Sequence, residues 1–438
     1  MASLDFTTAA TPPDSTDAPG ASAAAHPDHG ATTAPPWNSP HAVPVERTWE
    51  TALRLPGRIV SLPLRALGFV SERFLLRVED ASVVPKAAYL YSALPYAGVF
   101  VTPASLGDRT GFGATVRIVP PPIRNHLQAE VSGSTRNYSS TRIAASAGPA
   151  RLAYRYDWRP QERFFGVGLR ASSDDTTAYA WQTEQVRFGL EYPWMRSGQP
   201  SPRTQVSAWV GPRSIVVRRG RDPDVVSFEQ EFPGLAPGQL DRRFEHLVYG
   251  GRAQVDRRTG APHWSHGYRV ALQIERFDQP IEAFALRSAA AASPSFTRKR
   301  LEAEWGFSFM RDPRTIRLGW VVVDQDAASD SVLLLPDLAR LGGAQGLAGF
   351  EPGRFHHRDA LAMKLSYIFP MAEHFEFDLH TEVGGVYADV MEDPRLDDLE
   401  TSYGVALRPR SKETVLGSIG VDWSREKVRI RYSLGGVE

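Results

Sequence analysis

Phe375-Glu376-Phe377-Asp378-Leu379-His380-Thr381-Glu382-Val383 alternates without a break: the odd positions carry Phe, Leu, Thr and Val, the even ones four ionisable side chains. Neighbouring side chains of an extended strand point to opposite faces, so the stretch reads as a strand with one apolar and one charged face. The same period of two recurs along the chain. Phe112, Ala114, Val116 and Ile118 alternate with Gly, Thr and Arg; Val186, Phe188, Leu190 and Tyr192 interleave with Arg187, Gly189 and Glu191. Leu301, Ala303, Trp305, Phe307 and Phe309 oppose Glu302, Glu304, Gly306 and Ser308, and the last segment sets Val428, Ile430, Tyr432 and Leu434 against Arg429, Arg431 and Ser433.

About sixteen such segments follow one another, near 96–102, 110–119, 125–134, 139–147, 150–158, 177–192, 203–218, 243–257, 264–275, 296–309, 314–325, 357–369, 374–388, 402–409, 413–423 and 427–435. The apolar face of each needs cover. In a soluble sandwich a second sheet supplies it; in an outer-membrane barrel lipid does, and the polar face lines a wet lumen. Three features favour the barrel. Most segments reach or exceed the roughly 9–11 residues that cross a bilayer when tilted. Aromatics gather near strand ends (Tyr154, Trp158, Tyr192, Trp194, Trp320, Tyr367, Phe369), as interfacial girdles do. Tight turns at Gly148-Pro149 and Arg311-Asp312-Pro313 alternate with long polar loops at 219–242, 276–295 and 326–356. The expected fold is all-β, a 16-stranded antiparallel transmembrane β-barrel.

Composition agrees. The 438 residues hold 50 basic and 50 acidic side chains, a balance that excludes a general nucleic-acid binder. The absence of cysteine excludes disulfides, thiolate metal sites and cysteine nucleophiles. Mean hydropathy is only −0.30, which suits a barrel because half of every strand faces water. Nearly all basic charge is arginine, with lysine only at Lys86, Lys299, Lys364, Lys412 and Lys427.

Residues 1–45 are Ala, Thr, Pro, Ser, Asp and His with almost no large apolar side chain, a composition expected to stay disordered. His26, His29 and His41 are spaced too loosely to make a metal site. Residues 46–85 place Trp49, Leu53, Ile59, Leu64, Leu67 and Phe74 at helical spacing between arginines, interrupted by Pro56 and Pro63. This reads as a short amphipathic helical segment, lying either on anionic lipid or on its own domain. Residues 86–438 form the expected barrel domain. No basic n-region or apolar core of a secretory signal is visible at the start shown, so the expectation is either a cytoplasmic chain or a precursor that begins upstream. No stretch is long and apolar enough for a transmembrane helix.

Motifs of catalysis are missing: there is no Gly-x-Ser-x-Gly elbow, Walker loop or His-Glu-x-x-His. His263 and His266 lie in an expected hairpin turn without a third ligand, and His356-His357 are neighbours on a strand and point apart. The acidic run Glu392–Asp398 reads as a solvated loop, and Glu302 with Glu304 as lumen lining. No enzyme activity, cofactor or metal is expected.

Leu341-Gly342-Gly343-Ala344-Gln345-Gly346-Leu347-Ala348-Gly349-Phe350-Glu351-Pro352-Gly353-Arg354-Phe355, with Arg358-Asp359 behind it, resembles the sixth extracellular loop of the BamA/TamA superfamily, the bacterial surface antigen family of assembly and translocation barrels. It lies between the eleventh and twelfth expected strands, where a 16-stranded member carries it. Arg163-Phe164-Phe165-Gly166-Val167-Gly168 with Ser172-Ser173-Asp174-Asp175, Ser366-Tyr367-Ile368-Phe369-Pro370, Glu382-Val383-Gly384-Gly385-Val386 and Tyr403-Gly404-Val405-Ala406-Leu407-Arg408 are similar to further family blocks in the same order. The resemblance covers residues 86–438. It departs from the family pattern in three places. Ala348 replaces the loop arginine that, in the family, pairs with an inward carboxylate. Residues 1–85 show no POTRA pattern, and the last strand lacks a terminal aromatic.

The resemblance implies a loop-lock motif at Gly342, Gly343, Gly349, Phe350, Gly353, Arg354 and Phe355, with Arg354 standing in for the missing arginine and Asp378 or Glu382 as its lumen partner. It also implies a seam between the first strand and the last one, whose residues Val428, Ile430, Tyr432 and Leu434 would template an incoming strand. The implied role is outer-membrane protein insertion, or translocation of polypeptide or lipid, by a monomeric barrel in the bacterial outer membrane. Its partners would be outer-membrane lipids and unfolded outer-membrane proteins or cargo. A passive porin-like channel or structural barrel is the alternative, and a soluble ligand-binding β protein a third.

Overall fold

The computed structural model describes residues 98–104, 110–120, 123, 126–193, 203–220, 222, 225–234, 238–258, 266–280, 294–309, 314–327, 333–372, 374–392, 398–410 and 415–434. The expected tail (1–45) and helical segment (46–85) lie outside the described residues, as do Trp194 and His263.

The strands are β1 (Val99–Ala104), β2 (Gly113–Ile118), β3 (Leu127–Ser134), β4 (Ser139–Ala147), β5 (Ala150–Phe164), β6 (Thr177–Pro193), β7 (Arg203–Arg219), the two-residue β8 (Val226–Ser227), β9 (Arg242–Asp256) and β10 (Gly267–Asp278). They continue as β11 (Phe296–Phe309), β12 (Arg314–Ala327), β13 (Ala339–Leu341), β14 (Phe355–His357), β15 (Asp359–Ala372), β16 (Phe375–Tyr387), β17 (Glu400–Pro409), β18 (Gly417–Ser424) and β19 (Val428–Leu434). Leaving out β8 and the separate hairpin β13–β14, the strands pair antiparallel, each with the next, from β1 to β19. That gives the sixteen strands of an up-and-down barrel.

The sheet sorts its side chains as the alternation requires. On β10, Tyr268, Val270, Leu272 and Ile274 are exposed on the outer face, while Arg269 and Gln273 are half-buried and Glu275 is buried on the inner one. Phe188, Leu190, Leu301, Trp305, Phe307, Met363, Leu365, Ile419 and Val421 continue the exposed apolar belt. In water such a belt would be a large uncovered patch; against lipid it is the buried face. At the short-turn end a row of rings runs Phe307–Phe309–Tyr367–Phe369–Phe377, with successive centroids 6.2, 6.4, 5.5 and 5.6 Å apart. This girdle contains two of the aromatics picked from the sequence.

The wall is uneven. Strands β6 and β7 run 17 residues, β5 and β9 15, but β1 and β2 only 6 and β19 only 7. The short ones fall below the roughly 9–11 residues of a full tilted crossing. The short strands flank the place where the sheet meets itself. β1 and β19 bring Cα atoms within 8 Å of each other, yet no ladder register joins them among the described residues, each being paired only on its other side. The rings of Phe112 and Tyr432 stack there, 5.4 Å apart.

Several boundaries move by a few residues, and two of the shifts have a clear physical reason. β5 continues past 158 to Phe164, because a register shift between Arg159 and Glu162 absorbs Pro160, which has no N–H to give to a ladder. His356 and His357 belong to the small β14 and not to the spanning strand, which starts at Asp359.

Candidate functional site: the inserted loop and the terminal strand

The loop between β12 and β15 folds back inside the barrel. Its first arm, Leu333-Leu334-Leu335-Pro336-Asp337, is buried throughout and forms a single 3-10 turn at Leu335–Asp337. Asp337 accepts from Arg213 on β7 at 2.8 Å and from Arg298 on β11 at 3.3 Å. Its backbone carbonyl takes further bonds from Arg298 (2.9 Å) and from Gln325 Nε2 (3.0 Å). Burial alone would raise the Asp337 carboxyl; the two guanidiniums outweigh it and hold the group below its usual range. The Gln239 amide clips the same arm by accepting from the Leu335 N–H and donating to the Leu333 carbonyl.

The second part, residues 339–357, is a tight knot. Gly342 has φ 115°, and a Cβ there would stand 2.0 Å from the Glu351 carbonyl oxygen; Gly343 and Gly353 also lie at positive φ (65° and 63°). Only glycine holds those turns without strain. Leu347, Phe350 and Phe355 are fully buried together with Leu341, Ala360 and Val386, and the Phe350 and Phe355 rings meet edge-on at 5.1 Å. Gly349 lies flat on the barrel wall: a Cβ would come within 2.6 Å of the Trp423 carbonyl atoms on β18.

Arg354 is buried, at 2 % exposure. Its partner is neither Asp378 nor Glu382. The guanidinium bonds Glu426 in the β18–β19 turn at 2.9 Å and the Ala171 carbonyl at 2.6 Å, lying over the rings of Phe165 (5.2 Å) and Phe355 (4.8 Å). The Phe-Phe-Gly block and the loop therefore meet: Phe164 packs on His356 at 5.0 Å, and the Gly168 N–H donates to the His356 carbonyl.

The two expected acids do other work. Glu382 accepts from the backbone N–H of Ala348 at 2.5 Å and pairs with Lys364, directly opposite it in register, at 2.9 Å. The carboxylate thus meets position 348 through the main chain, and a lysine on the neighbouring strand supplies the positive charge that the missing loop arginine would bring. Asp378 pairs with Arg408 at 3.5 Å. Beside it His380 reaches Asp422 at 2.8 Å across the intervening β17. Gly404 sits in register between them, and a Cβ on it would lie 2.1 Å from the Asp422 oxygen and 2.4 Å from His380 Nε2. Asp422 also accepts from Arg431 of the last strand at 3.1 Å.

On β19 the outward residues Val428 and Ile430 are 67 % and 76 % exposed, and Tyr432 stands beside them; Leu434 ends the strand. The inward Arg429 turns to the loop, donating to the carbonyls of Ala348 (2.9 Å) and Phe350. Lys427 pairs with Glu351, and Ser424 Oγ donates to the Gly349 carbonyl at 3.0 Å. Sequence reasoning missed Asp337, Arg213, Arg298, Lys364, Glu426 and Arg429. Their only signal was that each of the strand residues among them falls on a lumen-facing position.

These features define a 16-stranded antiparallel β-barrel with a loop folded into its lumen and an exposed apolar belt suited to lipid. In fold it is a BamA/TamA-type barrel. The structure is similar to BamA from Haemophilus ducreyi lacking POTRA domains 1–3, with a TM-score of 0.54 at 11 % identity over 78 % of this chain and 70 % of that one. Two more solved structures align: CdiB from Acinetobacter baumannii (TM-score 0.43, 15 % identity, 76 % of this chain and 58 % of that one) and CdiB from Escherichia coli (0.48, 12 %, 77 % and 62 %). No model of a known protein family and no curated protein sequence matches the chain.

Proposed function

We propose that the chain assists insertion of proteins into the outer membrane, or translocation of polypeptide or lipid across it, by opening its sheet between β1 and β19. The observation that carries this reading is the seam: among the described residues, two short strands face each other without a ladder. An unpaired strand edge offers a row of N–H and C=O groups to any incoming strand, and adding a strand to such an edge is a general mode of peptide recognition. The low wall on both sides supports the same role, since a short hydrophobic span thins the bilayer around it. The work needs backbone pairing and a deformed bilayer, with no bond made or broken, so the reading is of a non-enzymatic monomer that needs no cofactor. Its partners are outer-membrane lipids and unfolded outer-membrane proteins or another extended cargo.

Single cysteines at Val428, Ile430 and Tyr432 test this in a chain with no others. A photo- or thiol-reactive strand of an unfolded outer-membrane protein should form adducts there and not at Leu272, on the opposite wall. Equal labelling at both places, or none at β19, contradicts the proposal and favours a passive barrel.

A further inference from the structure

We propose that the inserted loop is the clasp of the terminal hairpin: the loop apex, and not a ladder to β1, fixes β18–β19, so the loop must leave its seat before the seam can widen. This deepens the functional reading above and rests on the seam being the working site. Four neighbouring positions of the hairpin end on the loop. Ser424 bonds the Gly349 carbonyl, Glu426 pairs with Arg354, Lys427 with Glu351, and Arg429 donates to the carbonyls of Ala348 and Phe350. The outer two of these contacts go to the loop's backbone and the inner two to its side chains, so they fix the hairpin's height as well as its angle. Gly349, packed without a side chain on the Trp423 backbone, sets the loop directly against β18.

A clasp needs an anchor at its other end, and the loop has one. Asp337 is bolted to β7 and β11 through Arg213 and Arg298, and Arg340 pairs with Glu162 on β5 at 3.2 Å. The loop is therefore a strut running from the tall wall to the hairpin at the seam. Among the described residues β19 keeps only the ladder to β18 on its own sheet, and a two-stranded ribbon held on one side is weak unless something else packs on it.

Amide hydrogen exchange on the full chain in lipid nanodiscs reads this without any cargo. Gly349→Ala pushes a methyl group into the Trp423 backbone and lifts the apex. The expected result is exchange at least about tenfold faster in 417–434 together with 347–356, and unchanged in β9–β12, as separate opening units behave. A disulfide between Glu351→Cys and Lys427→Cys, added to that variant, should return 417–434 to the wild-type rate when oxidised. If Gly349→Ala fails to fold, Glu426→Gln gives the same readout. The clasp is overturned if 417–434 keeps its wild-type rate while the loop exchanges faster, or if the oxidised tether leaves the hairpin fast. Hairpin exchange uncoupled from the loop refutes the clasp alone. Coupled exchange with no cargo adducts on β19 refutes the functional reading alone.

Discussion

Asp337→Ala removes the carboxylate that Arg213 and Arg298 share and leaves two buried guanidiniums, 3 % and 9 % exposed in their side chains, without it. Removing one member of a buried ion pair costs about 3–5 kcal/mol, because the orphaned charge stays buried. At a factor of ten per 1.4 kcal/mol, the loop's out-of-seat population rises by about a hundred-fold to a few thousand-fold. Ala339, 7 % exposed in the hairpin beside it, reports the event as Ala339→Cys, labelled by a membrane-impermeant maleimide only when the loop leaves. The expected result is labelling faster by two orders of magnitude or more, with the barrel still heat-modifiable on gels. Replacing the whole triad, with Asp337→Leu, Arg213→Met and Arg298→Met, should recover much of the slow labelling, since a buried apolar set can substitute for a buried ionic one. Labelling of Asp337→Ala within about twofold of the parent would refute the assignment of the triad as the loop's anchor.

Acid should loosen the same loop. His356 is fully buried, and among the described residues neither ring nitrogen has a hydrogen-bond partner; burial, then Arg340 and Arg354, hold it well below the usual imidazole range. The unseated loop therefore takes up the proton first; seating is intact above about pH 6.5 and weakens by about 1.4 kcal/mol per unit below it. Relative to a free thiol at the same pH, which corrects for the falling thiolate fraction, Ala339→Cys should label faster at about pH 5 than at about pH 7, and His356→Phe should flatten that ratio; an unaltered profile in that variant speaks against it. Gly404→Ala should break the His380–Asp422 contact, leaving buried groups unsatisfied at about 1–3 kcal/mol each. A lower urea midpoint in bilayers is the expected sign, and an unchanged midpoint the contrary one. In planar bilayers the seated loop should give small, flickering conductance that rises to large steps in Asp337→Ala; a steady porin-like conductance in the parent contradicts a filled lumen.

Much of the wall was legible because lipid outside and water inside impose the alternation residue by residue. The windows 139–147 and 296–309 coincide end to end with β4 and β11. Where the chain departs from simple alternation, reading by period failed: β5 crosses Pro160 by a shift of register that no period reveals. The loop was visible as a motif, and its glycines occupy the turns and close approaches that demand them. Its partners were not visible. Asp337 lies 124 residues from Arg213 and 39 from Arg298 in sequence, and Arg354 lies 72 from Glu426. Asp378, Glu382 and Glu426 are all acids that a folded-in loop could meet, and only the path of the backbone selects among them. Ala348 shows the same limit. In the sequence Arg354 reads as the stand-in for the missing arginine, whereas Glu382 holds the backbone at position 348 and Lys364 balances its charge.

The central claim is that work is done where β1 and β19 meet. Phe112 and Tyr432 stack across that line, and in a cysteine-free chain Phe112→Cys with Tyr432→Cys makes a single reversible seam lock. Full-length protein in liposomes, supplied with an unfolded outer-membrane β-barrel substrate, should speed its insertion when reduced, lose that activity when oxidised, and regain it on reduction. Equal activity in the oxidised and reduced states would contradict the account.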